Sequence, residues 1–231
     1  MKIQSLLILA ATSALVASAS AATVQIAGWS MSTAIAAATT GSNYTHGAAN
    51  LGALTSSTSL SCYHAVAATT WSSPAGNGST YSLSSNNWTS GDYYQVSMAT
   101  TGYSDISVSW DQTRTSTGPS SFSLSMSTDG GANFTTLLAT YTVVQAGFAG
   151  TGTTTWNSVT NQTGFTNTID LGTSAANQGN ILLRFNSLAT TAAAGTNRID
   201  NISVTSAVVP EPSAALLGAL GALGLLRRRR N

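Results

Sequence analysis

A chain of 231 residues can hold one sizeable domain, but only 6% of it is charged, against roughly a quarter in an average soluble protein. Between the termini Arg114, Arg184 and Arg198 stand against Asp92, Asp105, Asp111, Asp129, Asp170 and Asp200. A net-acidic body with three scattered cations has no positive stripe to follow a nucleic-acid backbone, and the single cysteine, Cys62, excludes an intramolecular disulfide or a zinc site of paired cysteines.

The first residues, MKIQSLLILAATSALVASASAA, place one positive charge before an apolar stretch over 3–16 and then Ala19-Ser20-Ala21. This order predicts a secretory signal peptide over residues 1–21, cut by signal peptidase after Ala21 or Ala22. The body expected over 22–208 is rich in Ser, Thr, Asn, Gln and Gly, which favour strands and turns over helices. TVQIAGW starts a first strand, while 30–80 carries few large apolar residues and reads as long surface loops or poorly determined short elements. Strands are predicted over 93–99 and 105–111 around a tight turn at Thr101-Gly102, with Ile106, Val108 and Trp110 on one face of the second. Phe122, Leu124 and Met126 alternate with serines before Asp129-Gly130-Gly131, a hairpin leading to a strand from about Asn133. TNTIDLG, NILLRFNSL and NRIDNISVTS supply three more. Eight or nine strands without an amphipathic helix imply an all-β, two-sheet β-sandwich.

After the body comes Val209-Pro210-Glu211-Pro212, extended because two prolines block helix continuation. The apolar run 214–226 spans about 20 Å as a helix at ~1.5 Å per residue, short of a ~30 Å hydrocarbon core. Arg227, Arg228, Arg229 and Arg230 follow and resist translocation, which leaves the tail in the inner membrane and the body outside.

This VPEP motif, short Gly/Ala/Leu helix and arginine cluster over 209–231 resemble the PEP-CTERM sorting signal of Gram-negative bacteria. The resemblance implies processing by exosortase during export, with a transient membrane intermediate, and delivery to the cell surface or exopolysaccharide matrix. The segment GYSDISVSWDQTRTSTGPSSFSLSMSTDGGANF with the closing RIDNISV is similar to the jelly-roll or galactose-binding-like bodies that precede such tails. That resemblance implies that TVQIAGW lies beside RIDNISV, and a structural, adhesive or carbohydrate-binding role, the exopolysaccharide being a partner.

Several residues could carry a site. Trp88, Tyr93 and Tyr94 offer flat faces to sugar rings, in a segment rich in polar turn residues, or else fill the core; Trp71, Tyr81 and Trp156 have the same two options. Asp200 shares the parity of Ile202 and Val204, so in a regular strand its carboxylate points inward and must be paired, as with Arg184, bonded to backbone, or bound to a cation. The jelly-roll resemblance admits a structural calcium there; no other cofactor is expected. Ser127 to Phe134 fits the Asp-box pattern and reads as turn structure. His46 and His64 allow a Ser-His-Asp triad by count only, without a nucleophile-elbow pattern, and His64 is expected in a solvated loop. No catalytic residue is assigned, and the chain reads as a non-enzyme, with a polysaccharide hydrolase as the remaining alternative.

Overall fold

Apolar residues alternate with small polar ones through much of the chain, which gives strands one buried and one solvent-facing side. The computed structural model describes residues 23–147 and 155–208. In chain order the strands are β1 (Thr23–Trp29), β2 (Asn43–Gly47), β3 (Ser59–Tyr63), β4 (Trp71–Ser72), β5 (Leu83–Ser85), β6 (Tyr93–Met98), β7 (Tyr103–Arg114), β8 (Ser121–Ser127), β9 (Thr135–Thr142), β10 (Val144–Gln145), β11 (Thr166–Asp170), β12 (Ile181–Ser187) and β13 (Asn197–Val208). The helical elements among the described residues are two short 3-10 turns, Thr163–Phe165 and Thr173–Ala175. None is long and apolar enough to cross a membrane. The signal peptide expected over 1–21 and the sorting segment 209–231, with Val209, Pro210, Glu211, Pro212 and Arg227 to Arg230, lie outside the described residues.

The strands form two sheets, the expected all-β sandwich. One sheet runs β2-β3-β6-β12-β8-β9. The other is built on the long strands β7 and β13, which pair antiparallel along most of their length. On its free edge β13 takes β5 at one end and β1 at the other; β7 takes β11 and β10 in the same way. TVQIAGW therefore does lie beside RIDNISV, with Trp29 opposite Ile202. The turn at Thr101-Gly102, where Gly102 has φ +82°, passes the chain from β6 in one sheet to β7 in the other, and β8–β9 is the expected hairpin.

Between the sheets lies one core that includes Trp29, Trp88, Trp110, Tyr94, Phe122 and Phe185. The aromatic rings meet edge to face, Trp88 with Phe122 at 5.4 Å and Trp110 with Phe185 at 4.9 Å between centroids, the arrangement that ring quadrupoles favour. Two features sharpen or correct the sequence expectation. First, of the two options for 30–80 the short elements are present, since β2 to β4 lie there; β3 alternates cleanly, but its small residues hide the signal. Second, β13 is not regular. Its register with β7 slips by one residue between Asp200 and Ser203, and Asn201 stands at φ +47°, a left-handed conformation that asparagine tolerates better than most residues. This bulge separates Asp200 from the parity of Ile202 and Val204. The side chains of Ile199, Ile202 and Val204 enter the core, and Asp200 turns to the outer side of its sheet.

Candidate functional site

The outer faces of the two sheets are treated differently by the chain. On the β7–β13 sheet, two loop segments fold down over the strands. Asp111 and Asp200, opposite each other in register, become 2% and 0% exposed. The Oδ2 atom of Asp111 accepts from the side-chain amides of Asn77, Asn161 and Asn201 at 2.8–2.9 Å, and its Oδ1 from the Thr166 hydroxyl. Asp200 accepts from the backbone N–H groups of Asn77 and Asn201, each at 2.8 Å, and from the Ser79 hydroxyl. Trp156 and Phe165 close the outside, with the Trp156 indole donating to the Ala75 carbonyl. Gly76 is required beneath this cover: a Cβ there would collide with Ser79 Oγ, the Asp200 carboxylate and the Tyr81 carbonyl.

Backbone bonding, not an ion pair, is thus how Asp200 is satisfied. Arg184 is on the other sheet and is not its partner, and the one acid–base contact within 4 Å among the described residues is His64–Asp92. Calcium does not fit either, because Asp200 is faced by backbone N–H donors where a cation needs oxygen lone pairs; among the described residues no three His, Cys, Asp or Glu side chains are grouped to hold a metal. Burial, with the neighbouring Asp111 as a smaller cause, pushes the Asp200 carboxyl from 3.8 up to about 7. The sign follows from linkage: the folded state holds the proton between those values and the unfolded chain does not, so the contribution of Asp200 to stability falls as pH rises from about 4 to about 7. At roughly 1.4 kcal/mol per pH unit, the stability of wild type relative to Asp200→Asn should decline by a few kcal/mol over that interval. Urea titrations of both proteins at each pH measure this; a constant difference would mean that the carboxyl is not held up.

A second buried polar group contains His64, Asp92 and Ser85. The His64 Nδ1 lies 3.3 Å from Asp92 Oδ2 and its Nε2 3.2 Å from Ser85 Oγ. The connectivity is that of a catalytic triad, yet His64, Asp92 and Ser85 are 0%, 1% and 1% exposed. The expectation of a solvated His64 is therefore wrong. It packs against Trp88 at 4.2 Å and Trp71 at 4.9 Å, and burial pushes its imidazole below the ordinary value, against the pull of Asp92. Asp92 also accepts from the N–H groups of Ala65 and Thr89, so the trio ties the loops between β3, β5 and β6 together. A polymer cannot reach it.

The six-stranded sheet has an open outer face. Alternation turns Tyr63 and Ser61 of β3, Tyr93 and Gln95 of β6, Arg184 and Asn186 of β12, and Ser123 and Ser125 of β8 to solvent, and all are exposed or half-exposed. Registers align them across the sheet, Tyr63 with Tyr93 and then Asn186, and Ser61 with Gln95, Arg184 and Ser125. Tyr63, 41% exposed, stacks on Tyr93 at 5.4 Å between centroids. Beside this pair a shallow cleft of about 250 Å³ is bordered by Asn43, Thr45, Ser61 and Gln95. The Arg184 guanidinium lies 4.3 Å from the Tyr93 ring centroid and 4.0 Å from that of Phe134, and its Nε donates to Gln95 Oε1 at 2.7 Å. The β8–β9 turn delivers Phe134. There Asp129 accepts from the Asn133 backbone and side chain and from Ser127, which holds its carboxyl well below the usual range.

Of the three aromatics proposed from sequence to contact sugar, only Tyr93 is on this surface. Trp88 and Tyr94 are each 0% exposed and belong to the core: the Trp88 indole donates to the Ser85 carbonyl, and the Tyr94 hydroxyl to Asn197. Trp71 and Trp156 are buried too. Tyr63, Gln95 and Phe134 were missed, although strict alternation in SLSCY and YYQVSM marks the first two as outward.

Fold and surface together define an all-β sandwich in which loops cover one sheet's outer face over Asp111 and Asp200, while the outer face of the other sheet carries stacked tyrosines among amides and hydroxyls. No family model matches the chain, and no curated protein is similar to it. Among solved structures it is similar to the K3 cleaved adhesin domain of Lys-gingipain from Porphyromonas gingivalis, at 13% identity and TM-score 0.42 over 80% of this chain and 99% of that one. It is also similar to CBM35 from Cellvibrio japonicus Abf62, at 17% identity and TM-score 0.37 over 82% and 99%. The values for the CBM22-1–GH10 modules of the Clostridium thermocellum xylanase Xyn10B, complexed with xylohexaose, are 16% and 0.42, over 79% of this chain and 28% of that one. Likeness this low decides nothing about ligand or activity.

Proposed function

We propose that this chain is an exported, non-enzymatic sandwich protein that attaches to extracellular polysaccharide through the open face of its six-stranded sheet. The observation that carries this reading is the stacked Tyr63–Tyr93 pair, aligned with Gln95, Asn186 and Ser61 on a surface that is otherwise polar. Sugar rings have apolar faces ringed by hydroxyls, and a tyrosine platform edged with amides and hydroxyls matches both. Attachment of this kind serves the structural or adhesive role that the sequence suggests. Export rests on the N-terminal leader pattern, and surface delivery on the PEP-CTERM-like order of VPEP, apolar run and arginines. The two buried carboxylate groups offer no access to a polysaccharide, which supports binding without hydrolysis.

Calorimetric titration against a panel of soluble matrix oligosaccharides tests the reading. Tyr63→Ala should weaken binding by about an order of magnitude, as loss of an aromatic anchor does, while the midpoint of thermal unfolding changes little because Tyr63 lies on the outer face, outside the core between the sheets. Unchanged affinity in both Tyr63→Ala and Tyr93→Ala would remove the face from consideration. Intact mass of the protein recovered from cells tests the export route; both termini uncut would refute it.

A further inference from the structure

Arg184 is the only charged residue, histidine aside, in the six strands of the open sheet. Its guanidinium is a permanent cation, clamped between Tyr93 and Phe134 and fixed in rotation by the bond to Gln95. That bond uses Nε alone. Among the described residues the two Nη atoms have no acceptor, and no carboxylate pairs with Arg184. The other described arginines are placed differently: Arg114 donates to the carbonyls of Val143, Thr115 and Ser116, and Arg198 is on β13 of the opposite sheet. The nearby Asp129 is taken up by its own turn, where Ser127 and Asn133 satisfy it.

Two rings lie against the guanidinium, and no counter-charge among the described residues meets its Nη edge. A planar fork of N–H donors matches a carboxylate in two parallel hydrogen bonds. One step across the sheet, the Tyr63–Tyr93 pair offers a surface for a ring. Resting on the reading of this face as a glycan platform, we infer that its ligand is an acidic polysaccharide in which the carboxylate of a uronic acid sits on the Nη atoms of Arg184 while a neighbouring sugar ring packs on the tyrosines. A neutral glycan can hydrogen-bond to the guanidinium but leaves its charge uncompensated.

Titrating the intact protein with oligogalacturonate, its methyl ester and a neutral cello-oligosaccharide tests this. The acid should bind at least about tenfold tighter than its ester, the usual advantage of a charge-assisted pair, and the preference should shrink as salt is raised. Arg184→Gln should abolish the difference between acid and ester. Arg184→Lys should keep part of it, since the charge stays and the fork is lost. Comparison of acid with ester in the unaltered protein needs no variant, so a folding defect in either one does not remove the test. Equal binding of acid and ester, both weakened in Tyr63→Ala, would overturn the acidic ligand and leave the platform standing. A preference that survives Arg184→Gln would also overturn it, as would poly-aspartate binding as tightly as oligogalacturonate, which would point to an acidic polypeptide. If none of the three glycans binds, the platform reading falls as well.

Discussion

Trp88→Ala is expected to cost about 3–5 kcal/mol of stability, the range for removing a large aromatic side chain from a packed core, enough to unfold much of a marginally stable population. Trp88 has no solvent-accessible face. Its ring is shared between the His64 imidazole at 4.2 Å, Tyr94 at 5.0 Å and Phe122 at 5.4 Å. Deleting it opens a void between the sheets and exposes one side of the His64–Asp92 pair, so a packing loss and a loss of polar shielding coincide. Trp88→Phe should recover much of the stability, losing chiefly the indole bond to the Ser85 carbonyl. Urea unfolding of the two variants measures the difference. If Trp88→Ala instead unfolded at the wild-type midpoint but no longer bound glycan, Trp88 would be a surface contact.

The second large effect is at Asp111. One carboxylate oxygen gathers three asparagine side chains from separate segments and the other takes the Thr166 hydroxyl. Asp111→Ala removes four acceptor interactions at once; each asparagine amide keeps only its second acceptor, Gln162 or the Asn77 carbonyl, and one N–H of the buried Asn77 loses its partner, a loss of about 3 kcal/mol by the measure of other disrupted buried networks. Asp111→Asn should be much milder. Its remaining oxygen can still face the three amides while its new N–H group points at Thr166, whose hydroxyl turns round to accept. It also removes the charge that helps hold the Asp200 carboxyl up, so the pH dependence assigned to Asp200 should weaken in the same variant. Denaturant curves across pH for both variants check these points; equal destabilisation by alanine and asparagine would show that the donors are not what Asp111 organises.

Sequence periodicity revealed what depends on a strand's own pattern. The β8–β9 hairpin, the inward face of β7 and the place of β13 beside β1 all follow from alternation, turn residues or family likeness. It failed where burial is decided by something remote in sequence. Trp88 stands in a turn-rich polar stretch, SNNWTSG, which has no period to say that it would be drawn under β5 and β6. Asp200 looked like an inward residue because nothing in RIDNIS except an asparagine hints at a bulge. Tyr93 and Tyr94 were both offered as sugar contacts, though neighbours on one strand point to opposite sides; applying that rule selects Tyr93 and then Tyr63 across the register. Arg184 was legible as a charge in a strand, but which sheet that strand joins depends on long-range pairing that periodicity does not encode.

The position of β13 also governs how the molecule comes together. The last described strand is an interior one, flanked on one side by β7 and on the other by β5 and by β1 from the opposite end of the body. A growing polypeptide therefore lacks the piece on which one sheet is assembled, and the native contacts of that sheet span nearly the whole length of the described residues. Such topologies close late and slowly. Without β13, β1 has no paired strand and β5 is left with β4 alone, so one sheet waits on the far end of the body while the other can pair without it.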